Sequence, residues 1–235
     1  MKHAVVTGAS EGIGAATAKA LVGDGWFVTL AARNEGKLTA LAVELGDRAE
    51  VVVTDVTDEA SVNNLAAHVG TIDLLVNNAG GARGLDPIES ADLEDWQWMF
   101  ETNVLGTVRV TKALLPQMAA DGLIVNLGSV AGITPYWGGA GYNAAKFSVA
   151  ALTRVLRLEF EKAGRRIRVT EINPGRVKTD FSLHRFKGDR AQADAVYADK
   201  LNLTPEDIAE AIRWVAAQPA HVNIDRMVVR PVDQT

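Results

Sequence analysis

The sequence contains no cysteine. Disulfides, thiolate nucleophiles and cysteine-ligated metals are excluded together, so any redox chemistry must come from a cofactor. It also lacks an apolar stretch of membrane length and a hydrophobic signal region, because Met1 leads at once into a β-like run ending at Thr7. A cytoplasmic location without membrane attachment is the resulting expectation. Basic residues form no run: 24 Lys and Arg lie scattered among 29 Asp and Glu, for a formal charge of −5. Such a chain is not expected to attract nucleic acid or an anionic membrane surface. The four histidines, His3, His68, His184 and His221, show no metal-ligand spacing, and no metal site is expected. No linker, low-complexity tract or short repeat divides the 235 residues, which implies a single domain over 1–235.

What the chain does have is 48% apolar residues, enough to bury a large core. Short β-branched runs alternate with longer segments of helical periodicity. Strands are expected at Ala4 to Thr7, Trp26 to Ala32, Val51 to Val53, Leu74 to Val76, Leu123 to Leu127, Ile167 to Ile172 and Met227 to Val229. Their apolar runs are nearly continuous, as in strands covered on both faces. The fold class is therefore α/β, a doubly wound, mainly parallel seven-stranded sheet with helices on both faces. Alternation weakens over 181–202, a charge- and alanine-rich insertion that is the natural place for a substrate lid. A new helix should open at Thr204, with Pro205 at its first position and Glu206 and Asp207 in its first turn.

Directly after the first strand comes Thr7-Gly8-Ala9-Ser10-Glu11-Gly12-Ile13-Gly14, followed by a helical pattern. Glycines let the backbone approach a pyrophosphate, whose charge meets free N–H groups at the positive end of the helix. A ligand-free glycine turn gives the same residues, and an S-adenosylmethionine site fits the same order of elements. The second strand ends Ala31-Ala32-Arg33-Asn34. An acid there would accept from a ribose 2′-hydroxyl; a guanidinium instead suits a 2′-phosphate, which favours NADP(H). Arg33 as a plain solvated charge is the competing explanation, and Glu11 inside the phosphate loop opposes the phosphate.

Tyr142 and Lys146 stand four residues apart at the start of a long helical run, which sets them on one face. A nearby ammonium stabilises phenolate and makes the phenol usable near neutrality. Ser129 follows the strand Leu123 to Leu127, at the edge where doubly wound sheets bind ligands. There it would hold a substrate carbonyl, unless it is a simple turn residue after Gly128.

Taken together and in order, Thr7-Gly8…Gly12-Ile13-Gly14, Asn77-Asn78-Ala79-Gly80, Ser129, Tyr142…Lys146 and Pro174-Gly175 resemble the short-chain dehydrogenase/reductase family over essentially the whole chain. The resemblance implies reversible hydride transfer with Tyr142 as proton donor, Ser129 holding the carbonyl, Lys146 on the nicotinamide ribose and Asn103 anchoring a water relay. It further implies Asp55 and Val56 at adenine, Asn77, Ala79 and Gly80 shaping the cofactor cleft, and Pro174, Gly175, Val177 and Thr179 over the nicotinamide, beside the loop residues Gly8, Ser10, Glu11, Gly12, Ile13 and Gly14. Asp55 as a helix cap and Asn103 as a local kink are the structural alternatives. The C-terminal third, including Arg185-Phe186-Lys187-Gly188-Asp189 and Arg230-Pro231-Val232-Asp233-Gln234, is similar to the branch holding NADP-dependent 3-hydroxy acid and serine dehydrogenases. That likeness gives Arg185 a substrate carboxylate as partner, against the alternative of a solvated arginine. A 3-oxoacyl-carrier-protein reductase, a broad aldehyde or ketone reductase, and a catalytically silent NADP-sensing scaffold are the other activities compatible with the core motifs. Family members assemble through the helices holding Asn103 and Tyr142, which implies a homodimer or homotetramer.

Overall fold

A computed structural model describes residues 1–234. Seven strands form one sheet: β1 (His3–Thr7), β2 (Phe27–Ala32), β3 (Ala49–Val53), β4 (Ile72–Asn77), β5 (Met118–Leu127), β6 (Arg168–Pro174) and β7 (Arg226–Val229). Their order is β3-β2-β1-β4-β5-β6-β7 and every pairing is parallel. The helices are α1 (Gly12–Gly23), α2 (Glu35–Leu45), α3 (Glu59–His68), α4 (Leu93–Phe100), α5 (Gly106–Leu114), α6 (Ala140–Lys162), α7 (Phe181–Arg185), α8 (Arg190–Tyr197) and α9 (Pro205–Ala216). This is the expected doubly wound α/β fold, as one domain.

The continuous apolar strands find their reason in two cores, one on each sheet face. Val6, Leu30, Val76, Val125 and Ile172 pack with Leu21, Leu38, Ile208 and Ile212 of α1, α2 and α9. Their strand neighbours Val5, Leu75, Ile124 and Val169 face the other way, onto Val62, Leu65, Val110, Leu114, Leu156 and Phe160 of α3, α5 and α6. Because successive strand residues alternate sides, a sheet covered twice needs an apolar residue at every step. Chain order reverses between β1 and β4, so a crevice opens beyond their carboxyl ends. Thr7 and Asn78 hold its floor: the Thr7 hydroxyl accepts from the amides of Asn78 and Ala79, both at 3.0 Å, and Asn78 Nδ2 donates to the carbonyls of Thr7 and Gly8.

Strand limits differ from the sequence expectation where polar residues hide pairing. β3 starts at Ala49 because Ala49 and Glu50 pair with Val28 and Thr29, and Glu50 is held by the Thr29 hydroxyl at 2.6 Å. β5 starts at Met118, which pairs with Ile72 across a register shift. β6 runs on through Asn173 and Pro174, paired with Val228 and Val229. The 181–202 insertion holds α7 and α8, and Ser182 Oγ donates to the hydroxyl of Tyr197 at 2.9 Å to join them. Helix α9 opens as expected, with a reciprocal capping box between Thr204 and Asp207 after which Pro205 takes the first turn.

Two glycines of α1 make opposite demands. A Cβ on Gly14 would lie 2.3 Å from the Gly8 carbonyl and 2.6 Å from Asn78 Nδ2, whereas one on Gly23 would meet nothing within 4 Å. Gly14→Ala is expected to destabilise the protein by at least about 2 kcal/mol in urea melts through overpacking. Gly23→Ala should stabilise it by about 0.5 kcal/mol, the ordinary helix-propensity gain. Equal effects from both would show that the Gly8 to Gly14 contact is not tight.

Candidate active site

The long helix α6 begins at Ala140, so Tyr142 and Lys146 occupy its first two turns and point to the end of β5. Lys146 is buried and its Nζ donates to the Leu127 carbonyl at 2.8 Å. Its ammonium lies 5.7 Å from the centroid of the Tyr142 ring. Burial pushes the Lys146 pKa down to about 8, with the Glu171 carboxylate acting against that fall. Ser129 heads a short turn after β5: its Oγ accepts from the amide of Ala131 at 3.1 Å, and its own amide donates to Asn173 Oδ1 at 3.0 Å. That leaves the seryl proton free, and the Ser129 hydroxyl is among the groups that draw the Tyr142 pKa down.

The Tyr142 pKa is pushed up by burial, and the leading force against this is the charge of Arg185, with the Ser129 hydroxyl a lesser one. The sequence expects Lys146 as the cation here; the ring also carries a second one, the guanidinium of α7. Arg185 is buried at 8% exposure, with Cζ 5.3 Å from the Tyr142 centroid, 5.0 Å from that of Phe181 and 5.7 Å from that of Tyr136. One Nη donates to the Tyr136 hydroxyl at 2.7 Å, and Nε has no hydrogen-bond partner among the described residues. It is thus not the solvated arginine of the alternative explanation.

These groups lie at one end of a cleft of about 1220 Å³. Gly8, Ser10, Glu11, Gly12 and Ile13 line the other end, with Arg33 beyond β2, Asp55 and Val56 beyond β3, and Ala79 and Gly80 beyond β4. Pro174, Gly175, Val177 and Thr179 close it from the β6 side. Gly14 and Asn77 lie outside the lining. Gly14 serves close packing, and buried Asn77 donates from Nδ2 to Thr111 Oγ1 at 3.0 Å and Asn126 Oδ1 at 2.9 Å. Asp55 Oδ1 accepts from the amide and hydroxyl of Thr57, while the cap of α3 is Asp58. Asn103 sits in a π-helical turn, Glu101–Leu105, that joins α4 to α5. Its side chain exchanges hydrogen bonds with the amide and carbonyl of Gly81, and its carbonyl accepts from Thr107 Oγ1 at 2.8 Å. The helix is thus locally rewound at Asn103, whose side chain also fixes the loop after β4.

Several lining residues carried no sequence signal. Tyr136, Phe181 and His184 come from turns and a short helix, and Lys37 from the first turn of α2. Glu11 ion-pairs with Lys37 and is 2.7 Å from His184 Nε2. Burial would raise the Glu11 pKa, but the bonds from Lys37 and His184 prevail and hold it below the usual range. Its charge is therefore committed to neighbours. Arg33 is exposed and has no ion-pair partner among the described residues. Among the described residues there is no cluster of three or more potential metal ligands, and no helix is long and apolar enough to cross a membrane.

The profile of the short chain dehydrogenase family matches residues 2–189. An uncharacterized oxidoreductase of Mycobacterium tuberculosis (strain ATCC 25618 / H37Rv) is 54% identical over 233 residues, 98% of this chain and 91% of that protein. The NADP-dependent 3-hydroxy acid dehydrogenase YdfG of Escherichia coli (strain K12) is 41% identical over 238 residues, 98% of this chain and 95% of its own length. Among solved structures, the closed form of serine dehydrogenase complexed with NADP+ superposes with a TM-score of 0.95 at 40% identity, covering 99% of this chain and 96% of that one. Since the matched span runs from the glycine loop through the tyrosine helix and past the Pro174 loop, the chain belongs to the short-chain dehydrogenase/reductase family and is an oxidoreductase.

Proposed function

We propose that the protein is an NADP(H)-dependent oxidoreductase acting reversibly on a small carbonyl or alcohol substrate that carries an acid group, of the 3-hydroxy acid or serine class. The observation that carries this is the position of Tyr142, which lines one cleft with Ser129 and is flanked by the cations of Lys146 and Arg185, the cleft continuing to a glycine cradle. The cradle fits a dinucleotide: Gly8 has φ of +64°, and no Cβ can be placed on Gly14. Bound there, the cofactor supplies or accepts the hydride.

The chain's own residues do the rest. Tyr142 donates its hydroxyl proton to the substrate oxygen in reduction and takes it back in oxidation. Ser129 orients that oxygen with the proton its hydroxyl has free. Lys146, fixed by the Leu127 carbonyl, reaches the nicotinamide ribose and, with Asn103, serves the proton relay. A Cβ on Gly80 would lie 3.7 Å from Lys146 Nζ and 2.5 Å from Asn103 Oδ1, so the two side chains flank one glycine. Arg185 takes the substrate's acid group through its unpartnered Nε, a few bonds from the reacting carbon. The 181–202 segment acts as the lid, and exposed Arg33, assisted by Lys37, takes the 2′-phosphate. The named activities of the E. coli relative and of the serine dehydrogenase structure, both on acid-bearing substrates, support this choice. A homodimer or homotetramer through α4, α5 and α6 accords with their exposed Phe100, Val108, Phe147, Val155 and Leu158.

Tyr142→Phe should retain NADPH binding in fluorescence titration while losing nearly all turnover, because only the transferring hydroxyl is removed; substantial residual turnover would take Tyr142 out of its role. Arg185→Ala should raise KM for 3-hydroxy acids and serine by about ten- to a hundredfold, as loss of a charge-assisted contact requires, and spare neutral ketones. Equal effects on both substrate classes would give Arg185 a packing or stability role only. Arg33→Ala should weaken NADPH about tenfold or more and leave NADH nearly unchanged. A wild type that binds both cofactors equally would remove the NADP(H) assignment.

A further inference from the structure

Behind the tyrosine and lysine lies a carboxylate that the proposed reaction does not use. Glu171, in the middle of β6, is 1% exposed and stands in register with Asn126 of β5. Its Oε2 accepts from Arg226 Nε of β7 at 3.0 Å, while Oε1 has no hydrogen-bond partner among the described residues. That free oxygen lies against Gly128, where a Cβ would approach it to 2.8 Å. The residue before, Leu127, is the one whose carbonyl holds Lys146 Nζ. Carboxylate and ammonium thus abut consecutive residues at the end of one strand, and glycine at 128 leaves no side chain there to exclude the acid.

The placement is costly for structure alone. An apolar residue of similar volume in mid-strand would avoid the desolvation of a carboxylate that is only half satisfied. Arg226 does not call for a buried partner, since its side chain is 46% exposed. Lys146 does: it is buried, and its one hydrogen bond goes to a neutral carbonyl. Of the groups around it, Ser129, Asn103 and Gly80 are neutral, Tyr142 of α6 is a weak acid, and Arg185 of α7 lies across the Tyr142 ring with like charge. Among the described residues, the negative charge that acts on Lys146 comes from β6.

We propose that Glu171 is a positioning residue that acts as the counter-charge of Lys146, holding the buried ammonium protonated through the neutral range. The inference rests on the role given above to Lys146. Consistent with it, burial pulls the Lys146 pKa to about 8 and Glu171 is the charge that raises it. A group of this kind is charged below its pKa, so the function it supports is present at neutral pH and fades as pH rises through about 8.

The test is the alkaline limb measured two ways, by pH dependence of the NADPH dissociation constant in fluorescence titration and by pH dependence of kcat/KM. Glu171→Gln should shift both limbs down by about one pH unit, since removing a nearby counter-charge in a buried site favours the neutral amine. Arg226→Gln should shift them up, because it strips the cation that offsets Glu171. A purely structural ion pair predicts no opposite shifts from its two ends. Limbs that stay at the wild-type position in Glu171→Gln, or that move the same way in both variants, would overturn the inference. Should Glu171→Gln not fold, Arg226→Gln decides alone: an upward shift supports the counter-charge and an unmoved or lowered limb refutes it. An alkaline limb in the NADPH titration that persists in Lys146→Met would instead remove the role of Lys146, a separate failure.

Discussion

A parallel sheet buried on both faces has no room for chemistry in its middle. Val5 and Val6, or Leu74, Leu75 and Val76, are spent alternately on the two cores, and each is fully buried. Functional side chains are thereby forced to the carboxyl ends of the strands, where the loops turn and backbone N–H groups come free. Reversal of strand order between β1 and β4 parts two of those loops and opens the cleft. The Thr7 and Asn78 hydrogen bonds keep the parted ends in fixed relation, which is why the glycine loop can approach within the space of a missing Cβ. Everything chemical in this protein is an edge phenomenon of that constraint.

A row of polar residues enters the sheet on the face under α5 and α6. Asn77 donates to Asn126, Asn126 donates to Thr153 of α6, and Asn173 receives the amide of Ser129. Each link orients something at the edge, because a buried amide satisfied by specific partners has one allowed position. Asn126 joins β4 and β5 to the helix that carries Tyr142 and Lys146, and Asn173 sets the turn that carries Ser129. Glu171 belongs to the same row, yet keeps one oxygen unpartnered. It shares this with Asn77 Oδ1 and Asn173 Nδ2, but among the three residues only Glu171 leaves an acid group half-satisfied, and that is the costlier omission.

The cofactor end of the cleft and the 181–202 segment meet at a single carboxylate. Glu11, at the start of α1, holds Lys37 of α2 and His184 of α7. On the other rim Lys187 Nζ is 2.8 Å from buried Asp95 Oδ2 of α4, and the Arg185 carbonyl accepts from the Gly84 amide at 3.0 Å. Arg185 is therefore not a free arm reaching into the cleft: its backbone is tied on one side, its neighbours on both, and its side chain to Tyr136. Such pre-organisation reduces the entropy a substrate contact must overcome.

How much of this was legible in the sequence follows from the range of each interaction. Strand positions, the glycine loop, the Thr204 cap and the Tyr142 and Lys146 pair depend on residues close together in the chain, so spacing alone reveals them. Pairing that begins at Ala49 was hidden because the next residue, Glu50, is polar and held by Thr29 far away, and pairing that begins at Met118 because a register shift sets it apart from the apolar run. Glu11 is the sharper instance. Read beside its own loop it is a charge that opposes a phosphate; in the fold it is bonded to Lys37, 26 residues on, and to His184, 173 residues on. Similarly, the guanidinium that lies on Tyr142 comes from Arg185, and the acid behind Lys146 from Glu171, each on a different element from the residue it affects. Local pattern singles out the candidate side chains, but the charges around them are set by tertiary neighbours, and no periodicity encodes those.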